Sequence, residues 1–182
     1  PISTDSENIQ KIAKQYGADA PFLRPESLSN DLATSADAAI HALNYAESHW
    51  GAYDAVILLE PTSPLRKKED LESGIQILNK NYDQTDGVVS LGKVHLENPL
   101  YCKRIVDQQV LSFFSENVEG LAYFPYGVFY LIKSLVLKNE KSFYTKKMMP
   151  YLIERWQNYE VDDEFDFTCV ESILKLKLNE VR

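Results

Sequence analysis

Ala55-Val56-Ile57-Leu58-Leu59-Glu60-Pro61-Thr62-Ser63-Pro64-Leu65-Arg66 is the stretch on which the reading of the fold turns. Its first five residues are apolar without interruption. A strand covered on one face alternates apolar and polar side chains, so unbroken apolarity predicts a central parallel strand with helices on both faces. Pro61 and Pro64 stop it sharply. Beyond them Leu71, Ile75 and Leu78 recur at helical spacing, and 86–94, with Val88, Val89 and Leu91, reads as the next strand. Strand, loop, helix and strand make a βαβ unit, for which a right-handed crossover is expected. The fold class is therefore α/β with a mostly parallel sheet.

Working outward, the capping-box spacing Thr4-x-x-Glu7 and the apolar positions Ile9, Ile12, Ala13 and Tyr16 predict a helix over 6–16 that closes at Gly17. Ala39, Ile40, Leu43, Ala46 and Trp50 share one face of a second helix over 36–50, closed by Gly51. His41 sits on that packed helix and reads as structural. Later the pattern shifts to short runs, 101–106, 110–114 and 128–132, with Asp107-Gln108 as a two-residue turn between the first two. These make an antiparallel excursion over 98–132. A last short strand is expected over 159–162, then a helix over 164–179 with Phe165, Cys169, Ile173 and Leu176 facing inward.

The chain has 182 residues, so a single domain over 1–182 with one core is expected. Apolar and charged fractions of 45% and 25% exclude the disordered and low-complexity classes. Twenty-seven acids against nineteen bases give a net charge of −8, the opposite of a nucleic-acid footprint. No apolar run approaches bilayer length and no basic-then-apolar leader opens the chain, so a soluble cytoplasmic protein without a membrane partner is expected. Cys102 and Cys169 form neither a CxxC pair nor a disulfide framework, and three scattered histidines give no zinc spacing. Both cysteines are expected in the core.

Ligands of open parallel α/β sheets bind beyond the carboxyl ends of the strands, which makes 60–66 the first candidate site. It carries the Glu60 carboxylate, the Thr62 and Ser63 hydroxyls and the Arg66 guanidinium. The same prolines also suit a rigid connector. The second candidate is Glu160-Val161-Asp162: in an extended segment Glu160 and Asp162 point to one side and can share a hard cation such as Mg²⁺, which bridges to phosphates. The same acids also fit a solvated turn favouring a helix N-terminus. Arg24, a planar permanent cation, and Ser35, beside a helix start, are candidate phosphate ligands.

Five segments in order, Ser3-Thr4-Asp5-Ser6-Glu7, Arg24-Pro25 with Ser35 and His41-Ala42-Leu43, Leu59 through Arg66, Gly127 with Tyr130, and Glu160-Val161-Asp162, resemble the acylneuraminate cytidylyltransferases, also called CMP-sialic acid synthetases. The resemblance implies a Rossmann-like nucleotidyltransferase sheet and a homodimer built through the antiparallel excursion. It also implies Mg²⁺-dependent transfer of CMP from CTP to a nine-carbon 2-keto sugar acid, with release of pyrophosphate. On it, Asp162 and Glu160 are the catalytic, metal-holding acids, and Arg24, Ser35, Thr62 and Ser63 bind nucleotide. Glu60, Arg66, Gly127, Phe143 and Tyr144 face the sugar, the aromatic pair by its spacing back from Glu160.

The sequence departs from that pattern in three ways. Glu60 stands where most members carry glutamine, and an anion facing an anionic sugar repels it unless protonated, cation-paired or turned away, which leaves the sugar open. Tyr126 stands for the usual asparagine and Glu160 for the usual first aspartate. Family members also begin with a strand and a glycine- and lysine-bearing phosphate loop for which Pro1 onward has no counterpart, so impaired turnover and self-association beyond a dimer are expected. The alternatives are a non-catalytic paralogue or interaction subunit keeping fold and dimer surface, and a related nucleotidyltransferase with another base or sugar.

Overall fold

The computed structural model describes residues 1–95, 99–113 and 121–180; the start of the expected excursion, 98, and the end of the expected run 110–114 fall outside them. The elements run α1 (Glu7–Gln15), α2 (Ser35–Trp50), β1 (Ala55–Leu58), α3 (Lys68–Lys80), β2 (Gly87–Lys93), β3 (Lys103–Val106), β4 (Gln109–Ser112), β5 (Tyr123–Phe124), β6 (Tyr130–Lys133), α4 (Ser134–Glu140), β7 (Met148–Leu152) and α5 (Glu164–Glu180). Residues group into two compact units. The first comprises Pro1–Leu58, Asn81–Gly87 and Leu131–Met148; the second comprises Leu59–Lys80, Val88–Tyr130 and Met149–Arg182.

The five-stranded sheet has the order β1-β6-β2-β5, with β7 also paired to β2; β3 and β4 form a separate ribbon. The pairs Ser90 N to Phe129 O and Lys133 N to Asp86 O run in opposite chain senses, so β6 is antiparallel to β2. Ser134 N to Asp54 O and Glu60 N to Gly127 O set the same sense between β6 and β1. The α/β class holds, but the expectation of a mostly parallel sheet is corrected: an antiparallel β6 is inserted between the two strands of the predicted βαβ unit. β1 is also not the central strand. It ends the strand order and all four of its residues are half-buried, whereas Gly87 to Ser90 of β2 are fully buried. Apolarity along the chain reports cover above and below a strand; it does not report how many strands flank it.

In the first unit, α2 buries Ala36, Ala39, Leu43 and Ala46 at helical spacing, while Trp50, expected on that face, is exposed. Its start is a capping box: Thr34 Oγ1 accepts from Asp37 N at 3.1 Å, and Asp37 Oδ2 accepts from Thr34 N at 3.1 Å and from the Thr34 hydroxyl at 2.7 Å. Gly51, at φ 98, supplies the closing conformation. The cap of α1 is Ser6, whose Oγ accepts from Ile9 N, two residues later than the spacing of Thr4 and Glu7 suggested. No residue of α1 is buried, and Ile9, Ile12 and Tyr16 are exposed.

In the second unit, Asp107 and Gln108 form the two-residue turn of the β3–β4 ribbon with φ of 49° and 65°, the left-handed pair such a hairpin requires. No strand covers 159–162. The last strand is instead β7, which the sequence reading missed because Pro150 interrupts it. Among the described side chains of α5 the buried one is Val170, and Phe165, Cys169 and Leu176 are exposed. Cys102 is exposed as well, so neither cysteine is a core residue. Among the described residues no helix is long and apolar enough to cross a membrane.

The α2 cap yields a pH prediction. The Thr34 hydroxyl first, then its backbone N–H, hold the Asp37 carboxyl below its ordinary value of 3.8. A depressed folded-state value contributes stability that is present above 3.8 and lost as pH falls through the lower folded value. Asp37→Asn is expected to flatten the acid limb of a stability-versus-pH profile; an unchanged limb contradicts the assignment.

Candidate active site

The loop after β1 is closed by its own arginine. Arg66 Nη2 donates to Glu60 O and Ser63 O, each at 2.5 Å, and reaches Gly127 O at 3.5 Å, while Nε donates to Ser63 O at 3.1 Å. Burial pulls the guanidinium below its usual pKa, with Glu60 opposing that shift. Arginine stays charged under such a shift and satisfies several carbonyls at once with its fork of donors. Two loop carbonyls and that of Gly127 thus turn toward one cation, which braces the proline-flanked turn.

Ser63 lies inside this turn and is 1% exposed. Its hydroxyl donates to Glu160 Oε1 at 2.5 Å, and Gly127 N donates to the same oxygen at 2.8 Å. Val161 N donates to Thr62 O at 2.8 Å, so the acidic segment is tied to the loop by backbone as well as by side chain. Gly127 has to be glycine here: a Cβ would stand 2.7 Å from Glu60 Cβ and 2.8 Å from Ser63 Oγ. Two donors, one a hydroxyl and one a backbone amide, thus converge on a single carboxylate oxygen.

Around this clamp the predicted residues take distinct positions. Glu60, Arg66 and Glu160 are half-buried, Ser63 and Gly127 buried, and Thr62 and Asp162 exposed. Asp162 N donates to Asp166 Oδ2 at 3.1 Å, and Asp163 Oδ1 accepts from Phe165 N and Asp166 N at 2.8 and 2.9 Å. Asp163 and Asp166 therefore serve the start of α5, the role foreseen as the alternative for this acidic run, while Glu160 belongs to the loop. Among the described residues no three His, Cys, Asp or Glu side chains gather as a closed metal cage.

The other predicted residues belong to the first unit. Arg24 Nη2 stands 3.6 Å from Asp5 Oδ1, its Nε donates to Ser29 Oγ at 3.2 Å, and its N donates to Thr4 O at 2.7 Å. Ser35 is the first residue of α2, one beyond the Thr34 cap. Phe143 is packed at 6% exposure, so of the proposed aromatic pair only Tyr144 is presented to solvent. Sequence reasoning missed Asp70 and Gln157, both buried beside the loop's exit. The available signal was an acid three residues after Lys67, at the position from which a capping-box carboxylate reaches back.

A family model described as Cytidylyltransferase matches residues 1–181. CMP-N,N'-diacetyllegionaminic acid synthase of Legionella pneumophila is 29% identical over 185 residues, covering 96% of this chain and 77% of that protein. N-acylneuraminate cytidylyltransferase of Escherichia coli is 28% identical over 182 residues, covering 97% of this chain and 42% of that protein. A solved CMP:2-keto-3-deoxy-manno-octonic acid synthetase complexed with CTP superimposes with a TM-score of 0.62, covering 98% of this chain and 80% of that one. At 14% identity this last likeness is one of fold.

The clamp generates a paired prediction. Glu160→Ala leaves the Gly127 amide and the buried Ser63 hydroxyl without their acceptor and is expected to cost about 1–3 kcal/mol. Glu160→Gln keeps an acceptor oxygen and is expected to cost less. Urea denaturation of both variants checks this; an Ala variant as stable as wild type contradicts the clamp.

Proposed function

The chain belongs to the cytidylyltransferase family and is a nucleotidyltransferase, and from that premise we propose that it transfers CMP from CTP to a nine-carbon 2-keto sugar acid of the sialic acid kind. The observation that carries the reading is the Glu160 clamp, which joins the proline-flanked loop, Gly127 and Glu160 into one constellation. Relatives named for legionaminic acid and N-acylneuraminate support a sugar acid as acceptor.

In the proposed reaction a sugar hydroxyl oxygen bonds to the α-phosphorus of CTP. The bond from that phosphorus to the bridging oxygen breaks, pyrophosphate departs, and the hydroxyl proton is lost. Such displacements depend on positioning and charge stabilisation. Ser63 has committed its proton to Glu160, so its part is to hold the loop, and the exposed Thr62 is the loop hydroxyl available to a ligand. Arg66, occupied with loop carbonyls, acts by fixing the turn.

The oxygen donors here fit Mg²⁺, which takes one or two carboxylates and keeps several waters. Asp162, with the Glu160 oxygen not committed to Ser63 and Gly127, would hold it, and the ion would neutralise phosphate charge. The β3–β4 ribbon, with Ile105, Val110 and Leu111 exposed, is the surface proposed for a homodimer.

Pyrophosphate release, measured with CTP or UTP against several nine-carbon keto-sugar acids, tests the reading. Release is expected with CTP and one such acid, abolished by chelation of Mg²⁺ and lowered about 10²–10³-fold by Asp162→Asn. Equal turnover of UTP, or release indifferent to the sugar acid, would overturn it.

A further inference from the structure

Asp70 has no exposed surface, yet it carries a carboxylate. Its Oδ2 accepts from Lys67 N and from Gln157 Nε2, each at 2.7 Å, and its Oδ1 accepts from the Tyr151 hydroxyl at 2.8 Å. Lys67 Nζ stands 3.8 Å from Oδ1. Gln157, 1% exposed, spends both amide ends: Nε2 also donates to Leu65 O at 3.0 Å, and Oε1 accepts from Glu154 N at 3.1 Å. All these residues lie in the second unit. A buried carboxylate is tolerable only when its acceptor capacity is filled, and this one is filled from three chain segments.

The geography of those segments matters more than their number. Leu65 and Lys67 bracket Arg66 at the exit of the proline-flanked loop. Gln157 precedes Glu160 by three residues. Tyr151 lies in β7 and packs its ring 5.3 Å from Phe129, two residues beyond Gly127. Every piece of the Glu160 clamp is thus tethered a second time through the Asp70–Gln157 pair.

We propose that Asp70 and Gln157 are positioning residues: their buried hydrogen-bonded pair fixes the loop exit against the segment leading to Glu160 and so sets the geometry of Ser63, Gly127 and Glu160. The pair touches no reacting atom; it acts through the clamp. The functional importance of that geometry rests on the reading of this loop as the substrate-facing element. Amide exchange is measured without substrate, so a failure of the tether is distinguishable from a failure of the reaction assignment.

The test is residue-resolved amide hydrogen exchange by NMR on wild type, Gln157→Leu and Asp70→Asn. Reporters are Gly127 N–H, bonded to Glu160, and Val161 N–H, bonded to Thr62 O; the control is Ser90 N–H, bonded to Phe129 O. The expected result is exchange about tenfold faster at both reporters, the scale of one lost buried hydrogen bond, with the control within about twofold. Unchanged reporters would overturn the proposal, and so would a uniform rise at reporters and control together, which marks a merely structural role. Should both variants fail to fold, Tyr151→Phe removes one donor alone and is read by the same criteria.

Discussion

One carboxylate oxygen, Oε1 of Glu160, accepts from a serine hydroxyl 97 residues away in the chain and from a glycine amide 33 residues away. Both donors are buried, so each has exchanged water for this one acceptor and would lose heavily if left without it. The consequence is a fixed relation between the loop after β1, the turn before β6 and the segment before α5. A glycine at 127 is the steric condition for that relation, because any Cβ would collide with Glu60 and Ser63. The rest of the second unit's site is arranged about this point.

Arg66 and Asp70 support it with opposite charge. The guanidinium gathers carbonyls of the loop it belongs to, and the carboxylate gathers donors from the loop exit, β7 and Gln157. Neither charge faces bulk water freely, and each is compensated by several hydrogen bonds, the condition under which buried ions are tolerated. Preorganisation of this kind suits phosphoryl-type displacement, in which the protein contributes placement and field. The exposed groups at the same place, Thr62 and Asp162, are then the ones with freedom to meet a ligand.

Local chemistry was legible in the sequence. The helix α2, its glycine stop, the hairpin turn at Asp107 and Gln108, and the strand β2 all follow from propensities acting over a few residues. Strand order was not legible, because Ala55 to Leu58 carries the same apolar signature whether it sits at the centre or the end of a sheet. β7 was hidden by Pro150, and 159–162 looked like a strand because an extended, partly bonded segment has the same composition. For α5, the three- and four-residue spacing of Phe165, Cys169, Ile173 and Leu176 suggested an inward face, whereas among the described side chains the buried one is Val170. At the site, the spacing of Glu160 and Asp162 and the resemblance drew attention to the acidic run, of which Glu160 engages the loop. That Ser63 would engage Glu160, and that Arg66 would turn inward, depended on contacts between distant segments that no local pattern encodes.

The central claim is that the clamped loop and the late acids form one ligand-binding centre. An NMR titration of the folded protein with CTP and Mg²⁺ tests it most directly. The account predicts saturable shifts at the amides of Thr62, Val161 and Asp162, with those of Ile105 and Val110 in the β3–β4 ribbon unmoved. Amides of the clamp that stay silent while nucleotide binds elsewhere would contradict it.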